Sequence, residues 1–296
     1  MKKLRSLLLL PLFALFLFAG CEKEGNTGTL NLSITDAPID NADVTGVWLN
    51  ITEIQYHMSD GEWYTFEGFE GPKEFNLLEL TNGVSELLGS FEMEAGTYTQ
   101  LRFMLDAPVM GNMPHNNPGC YIEFADGSTE QLFVPSGHQS GWKAVGAFHV
   151  PANGTVDITA DFDARKSVIE TGMGSYILKP TIRLMADNQA GKISGGITNI
   201  PEGTDIVVFA YEDDTYDASE ADEPATDTIP RFPNAVTSGI ADDEGSYHLV
   251  YLAPITYDLV ITTSVDGEFG EVLGFVEDVV VESRKTTNIP IDISEL

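Results

Sequence analysis

Residues 154–162 read GTVDITADF. In an extended chain successive side chains point to opposite faces, so Val156, Ile158, Ala160 and Phe162 share one face and Thr155, Asp157, Thr159 and Asp161 the other. That is the signature of a half-buried strand, and it recurs along the chain. Leu30, Leu32 and Ile34 alternate with polar neighbours until Asp36-Ala37-Pro38 stops the run. Val47, Leu49 and Ile51 form a second face, and the shift of parity to Ile54, Tyr56 and Met58 predicts a bulge. Further strands are expected near 97–105, 120–125, 130–134, 144–150 and 175–185. Only NLLELTNGVSELLG, residues 76–89, offers a helix, and Gly83 limits it to a turn or two.

A polar, glycine-containing stretch at 186–191 marks a boundary, after which strands are expected at 235–240, 246–252, 256–264, 271–282 and 286–292. Short strands separated by Gly and Asp turns predict an all-β chain of two antiparallel β-sandwich domains in tandem, 28–186 and 190–296. Early in the C-terminal domain lies an insertion, in which residues 212–227 hold eight acidic side chains and no basic one. Its composition predicts a mobile, solvent-exposed loop.

The first twenty residues are set apart from the fold. Lys2, Lys3 and Arg5 precede an apolar run from Leu7 to Ala19, about a dozen residues against the ~20 that cross a bilayer. This is the pattern of a cleaved signal peptide. Phe18-Ala19-Gly20-Cys21 resembles a bacterial lipobox, with Phe18 where Leu is usual. The resemblance implies that Cys21 carries a covalent lipid and that residues 21–27 form a lipidated tether. It places the protein at the outer membrane, facing the cell surface or the periplasm, with Glu22 and Glu24 resembling a surface-export signal. The alternative is secretion with Cys21 paired to Cys120; with Cys21 lipidated, Cys120 is an unpaired, buried or half-buried thiol.

The chain carries 46 acidic and 15 basic residues, a net charge of −31. Residues 188–296 hold 22 of the acids and only four of the bases, Lys192, Arg231, Arg284 and Lys285. Such a field repels nucleic acid and anionic lipid, so no nucleic-acid partner is expected. The membrane contact that the lipobox resemblance implies is through the lipid anchor at Cys21.

Six blocks, GTLNLSITDAP, FNLLELTNGVSELLG, AGTYTQLRFML, VPSGHQSGWKAVGAF, DITADFDARKSVI and YILKPTIRLM, resemble domain-of-unknown-function family 4382 over 28–186. That family implies an exported lipoprotein and no reaction. In the C-terminal domain, SGIADDEGSYHLVYLAPITYDLVIT resembles the carboxypeptidase-regulatory or transthyretin-like module, through Asp242, Gly245, Tyr247, Leu252, Pro254, Tyr257 and Leu259. Ile255 stands where glycine is usual. The parity of Tyr257 suits a hydroxyl bonded back to the preceding turn, as in a tyrosine corner.

Several residues invite chemistry. Ser136 or Ser140 with His138 has the residue types of a nucleophile and base, but no nucleophile elbow accompanies them. His115 and Cys120 lack the spacing of a zinc site. Asp161 with Asp163, and Asp242 with Asp243, are candidate calcium ligands outside any EF-hand spacing, their alternatives being a strand's polar edge and a hairpin turn. Trp63, Tyr64 and Trp142 are the candidate ligand platform, aromatic faces being suited to a glycan or surface-protein partner. No enzyme and no cofactor beyond the lipid is expected. The reading is a non-catalytic structural, adhesive or ligand-binding lipoprotein; the alternative is a glycan-binding accessory to nutrient uptake, with a serine hydrolase third.

Overall fold

The computed structural model describes residues 26–38, 43–58, 61–107, 119–135, 141–171, 174–179, 181–224 and 229–296. The leader, Cys21, His115, Ser136, His138 and Ser140 lie outside them. The chain is all-β. Its N-terminal unit contains β1 (Thr27–Ala37), β2 (Val44–His57), β3 (Trp63–Thr65), β4 (Lys73–Asn76), β5 (Glu86–Glu94), β6 (Gly96–Leu105), β7 (Tyr121–Phe124), β8 (Thr129–Phe133), β9 (Trp142–Val150) and β10 (Thr155–Asp163). A single helical turn, α1 (Ala164–Ser167), then leads into β11 (Val168–Glu170), β12 (Tyr176–Leu178) and β13 (Ile182–Ala186). The C-terminal unit runs through β14 (Gly191–Thr198), β15 (Asp205–Glu212), β16 (Thr237–Ile240), β17 (Ser246–Leu252), β18 (Thr256–Val265), β19 (Glu268–Val280), β20 (Thr286–Asn288) and β21 (Ile291–Asp292).

The first thirteen strands form one hydrogen-bonded sheet in the order β11-β12-β8-β7-β2-β6-β9-β13-β10-β1-β5, with β3 and β4 added to β2. Its pairing is mixed: β1 lies antiparallel to β5 but parallel to β10, with Leu30 opposite Val156 and Ile34 opposite Ala160. One core cluster fills it, in which Leu30, Leu32, Ile34, Val47, Leu49, Ile51, Phe103, Trp142, Ile158 and Phe162 are fully buried. The bulge in β2 falls between Ile51 and Glu53, as the parity shift predicts.

The stretch with helical potential divides. Leu77–Leu80 is a 3-10 turn capped by the Asn76 side chain, which accepts the Leu78 N–H. Past Gly83 the chain extends as β5, whose Leu88, Phe91 and Met93 are buried in the core. Pairing with β1 outweighs whatever helical preference SELLG carries.

The C-terminal unit is built of a pair of four-stranded sheets, β17-β14-β20 with β21 and β16-β15-β18-β19, which face each other. Ile193, Ile197, Tyr247 and Leu249 from one meet Ile206, Val208, Leu259 and Ile261 from the other. The run DIVVFAY of β15 is apolar on both faces for a reason the sandwich alone does not supply. Val207, Phe209 and Tyr211 point away from the sandwich into a further cluster with Phe232, Ala235 and Val260. A strand buried on both faces loses its alternation.

The mobile-loop expectation for the acidic insertion is corrected there: its Tyr216 and Ala221 pack against this cluster, beside Phe232 and Ala235 just past residue 227. Phe232 is 1% exposed and packs on Phe209 with ring centroids 4.4 Å apart. Glu220 accepts hydrogen bonds from the Tyr211 hydroxyl and from Asn234. Arg231 binds Glu223 and the Ala221 carbonyl. Most of the acids face solvent, while Tyr216, Ala221 and the Glu220 carboxylate, with Phe232 and Ala235 just beyond, fasten the segment to β15.

Candidate functional site: the charged junction between the two units

At the end of β10 the chain turns from Asp161 and Asp163 into Arg165 and Lys166, two acids and two bases within six residues. The Asp163 carboxylate accepts the Lys166 N–H at 3.1 Å and so caps α1. It also lies 3.5 Å from the Arg165 guanidinium and 3.4 Å from the Lys166 ammonium. Both cations then reach into the C-terminal unit. Arg165 donates to the carbonyls of Arg231 and Phe232, each at 2.9 Å, and its guanidinium stands 5.2 Å from the Phe209 ring centroid. Lys166 donates to the Ala235 carbonyl. The Arg165 side chain is 4% exposed, so the contact is a buried bolt rather than a surface ion pair. Burial lowers the pKa of Lys166, against the pull of Asp163.

Two further carboxyls complete the cluster. Asp161 pairs with Arg183, its register partner on β13. Burial pushes Asp161 up and Arg183 pulls it back. Asp36, at the end of β1, accepts the Ala164 N–H at 2.9 Å through Oδ1. Its Oδ2 has no partner among the described residues. Desolvation, with smaller contributions from Asp163 and Asp161, holds its pKa well above the ordinary aspartate value. For an acid raised in this way, the folded state favours the proton. Its stabilising contribution is full below about pH 3.9, the ordinary value, and is lost as pH rises through the raised one. The stability of wild type relative to Asp36→Asn is therefore expected to fall with rising pH, by up to about 1.4 kcal/mol per unit. Urea melts of both proteins from pH 4 to 8 measure it; parallel profiles would refute it.

Beside the bolt lies a cavity of about 250 Å³, walled by Val44, Val168 and Tyr176 from the N-terminal unit and by Thr262, Ser264 and Phe269 from the C-terminal one. The Arg165 side chain also lines it.

The sequence-derived site residues are dispersed. Asp161 and Asp163 lie on no exposed polar edge, contrary to that expectation: they are buried and matched by Arg183, Arg165 and Lys166. Their carboxylates face the protein's own cations, which is the wrong surrounding for a calcium site. Asp242 is the acceptor of a hairpin turn, binding the N–H groups of Glu244 and Ser246, and Asp243 beside it is exposed. Among the described residues, the carboxylates of Asp213, Asp214 and Asp258 lie within 4.8 Å of one another. Asp258 there already accepts the N–H groups of Asp214 and Asp278.

The aromatic platform is also corrected. Trp142 is fully buried, its ring 4.8 Å from that of Phe162. Trp63 and Tyr64 are neighbours on β3 and so take opposite faces. Arg102 covers the Trp63 ring at 3.9 Å, while Tyr64 stacks on Tyr56. Cys120 is fully buried, and desolvation pushes its thiol up to about 12. Tyr257 is buried, and desolvation pushes its hydroxyl up to about 12.

Sequence reasoning missed Asp36, Arg165, Lys166 and Arg183 as a functional group. The signal was present in the tight acid-then-base order of DFDARK, which suits a capped turn holding its own counter-ions.

The chain belongs to the family described as Domain of unknown function (DUF4382), whose model matches residues 27–180. No curated protein matches it. Solved structures that align with it include the TIE protein of Bacillus anthracis, 11% identical, covering 90% of this chain and 34% of that one at a TM-score of 0.21. A leucine-rich repeat protein from Bacteroides thetaiotaomicron is 11% identical, covering 90% and 26% at 0.20. The minor pilin of Streptococcus agalactiae is 12% identical, covering 88% and 94% at 0.22. The chain thus spans about a third or less of the first two. At TM-scores this low the likeness carries no conclusion about this chain.

Proposed function

We propose that this protein is an exported, lipid-anchored, non-catalytic β-scaffold that holds a stiff body of two joined units away from a membrane for contact with a ligand or partner. The observation that carries the reading is the bolt at the junction. Arg165 and Lys166 place three charge-assisted hydrogen bonds on the carbonyls of Arg231, Phe232 and Ala235. Such bonds are stronger than neutral ones, and Asp163 keeps both cations compensated. Two β-units tied in this way move together, which suits a spacer or presenting module. The C-terminal unit, from residue 190, is read as a carboxypeptidase-regulatory or transthyretin-like domain through the Asp242–Leu259 pattern. Anchoring rests on Cys21 in FAGC, and two or three acyl chains hold a protein at a membrane where one does not.

The anchor is tested by growing cells with labelled palmitate. Label is expected in the wild-type protein and absent from Cys21→Ala, with the variant released into the soluble fraction. Equal labelling of the two would overturn the anchored reading.

A further inference from the structure

Three of the four basic residues of 188–296, in a stretch with 22 acids, line one cleft. Lys192 comes from β14; Arg284 and Lys285 come from the turn between β19 and β20. His248 of β17 joins them. The cleft is open, holds about 430 Å³, and takes a wall from the N-terminal unit, where Asn82 and Gly83 approach β17. A Cβ on Gly83 would come within 3.2 Å of Val250.

The cations are gathered by the backbone. Arg284 N–H donates to the Ala190 carbonyl at 2.7 Å, and Lys192 N–H to the Lys285 carbonyl at 3.0 Å. The turn that carries two cations is thereby fixed to the strand that carries the third. Lys285 is paired with Glu282 at 2.6 Å. Lys192 and Arg284 are exposed and have no ion pair among the described residues. On a chain of net charge −31, two uncompensated cations facing one cavity make a local reversal of sign.

The rest of the lining is not that of a phosphate cradle. Asp187 sits in the wall, raised in pKa by burial and accepting the Thr159 hydroxyl. Asn82 and Thr286 add an amide and a hydroxyl, and Tyr251 with Val250 adds an apolar face. Hydroxyl-rich ligands need both donors and acceptors of this kind. The volume lies within the range of about 300–1,000 Å³ common for small-ligand sites.

We propose that the cleft binds a carboxylated sugar, a uronic acid unit of an acidic glycan. Its carboxylate meets Lys192 and Arg284, its hydroxyls meet Asp187, Asn82 and Thr286, and one ring face lies on Tyr251.

Titration calorimetry on the purified full chain tests this with trigalacturonate and with its fully methyl-esterified form, which keeps the rings and loses the charges. The free acid is expected to bind at least tenfold more tightly than the ester, and more weakly as salt is raised. The variant Lys192→Gln/Arg284→Asn should lose at least tenfold in affinity. Asn tolerates the left-handed φ of +61° at position 284, so the melting temperature should not move. Equal binding of acid and ester, no binding at millimolar trimer, or unchanged affinity in the variant would overturn the proposal. So would poly-glutamate displacing the trimer at equal concentration, which would make the cleft a peptide site. The outcome is independent of the anchor, since the Cys21→Ala protein keeps the cleft.

Discussion

Replacing Arg165 by Met is expected to cost the protein about 3–5 kcal/mol, the usual consequence of removing one partner of a buried ion pair. Met keeps much of the length and the apolar stem of the side chain, so packing against Phe209 is largely retained. The charge is what goes. Asp163 is then left with Lys166 alone, and the carbonyls of Arg231 and Phe232 lose their donor in a buried place. For a chain of this size the loss corresponds to a fall in Tm on the order of 10 °C. The shape of the transition is the sharper readout. With the bolt in place the two cores should unfold together; without it calorimetry should resolve two transitions. Pairing the change with Asp163→Asn should cost less than the sum of the single changes, because the second removes the acid that the first strands. A loss under about 1 kcal/mol with one unbroken transition would show that the junction is held by the apolar contacts of Phe232 and Ala235 instead.

Alternation along GTVDITADF revealed a strand with two faces, and β10 has them. It did not reveal what covers the second face, because that is decided by residues far away in sequence. Thr159 and Asp161 are polar and therefore read as exposed, yet Arg183 of β13 and Asp187 just after it arrive to satisfy them. The same limit explains the insertion. Eight acids dominate the composition of residues 212–227, while the attachment is made by a few side chains, Tyr216, Glu220 and Ala221 within it and Phe232 and Ala235 just beyond. Composition averages over a segment; attachment depends on particular side chains. Strands bounded by Gly and Asp turns were legible, and so were the bulge at Ile51 and the stop at Pro38, because each has a local cause. The cationic cleft was not, since Lys192, His248 and Arg284 meet only when β14, β17 and the turn before β20 are placed side by side.

Trp142 separates the two readings of the aromatic residues most cleanly. Its indole is fully buried, opposite Phe103 of β6 in register and against Phe162 of β10. Trp142→Ala is expected to destabilise by about 3–5 kcal/mol, from lost transfer energy and the cavity left behind. The indole N–H has no hydrogen-bond partner among the described residues, which is itself a cost of burying this side chain. Trp142→Phe removes that cost while keeping most of the ring, so its loss should stay below about 1.5 kcal/mol. A ligand platform would give a different pattern: both variants would fold with wild-type stability and fail in binding. Denaturant titration of the two variants therefore decides the matter before any ligand is known. A Trp142→Ala protein as stable as the wild type would place the indole at the surface and reinstate it as a binding residue.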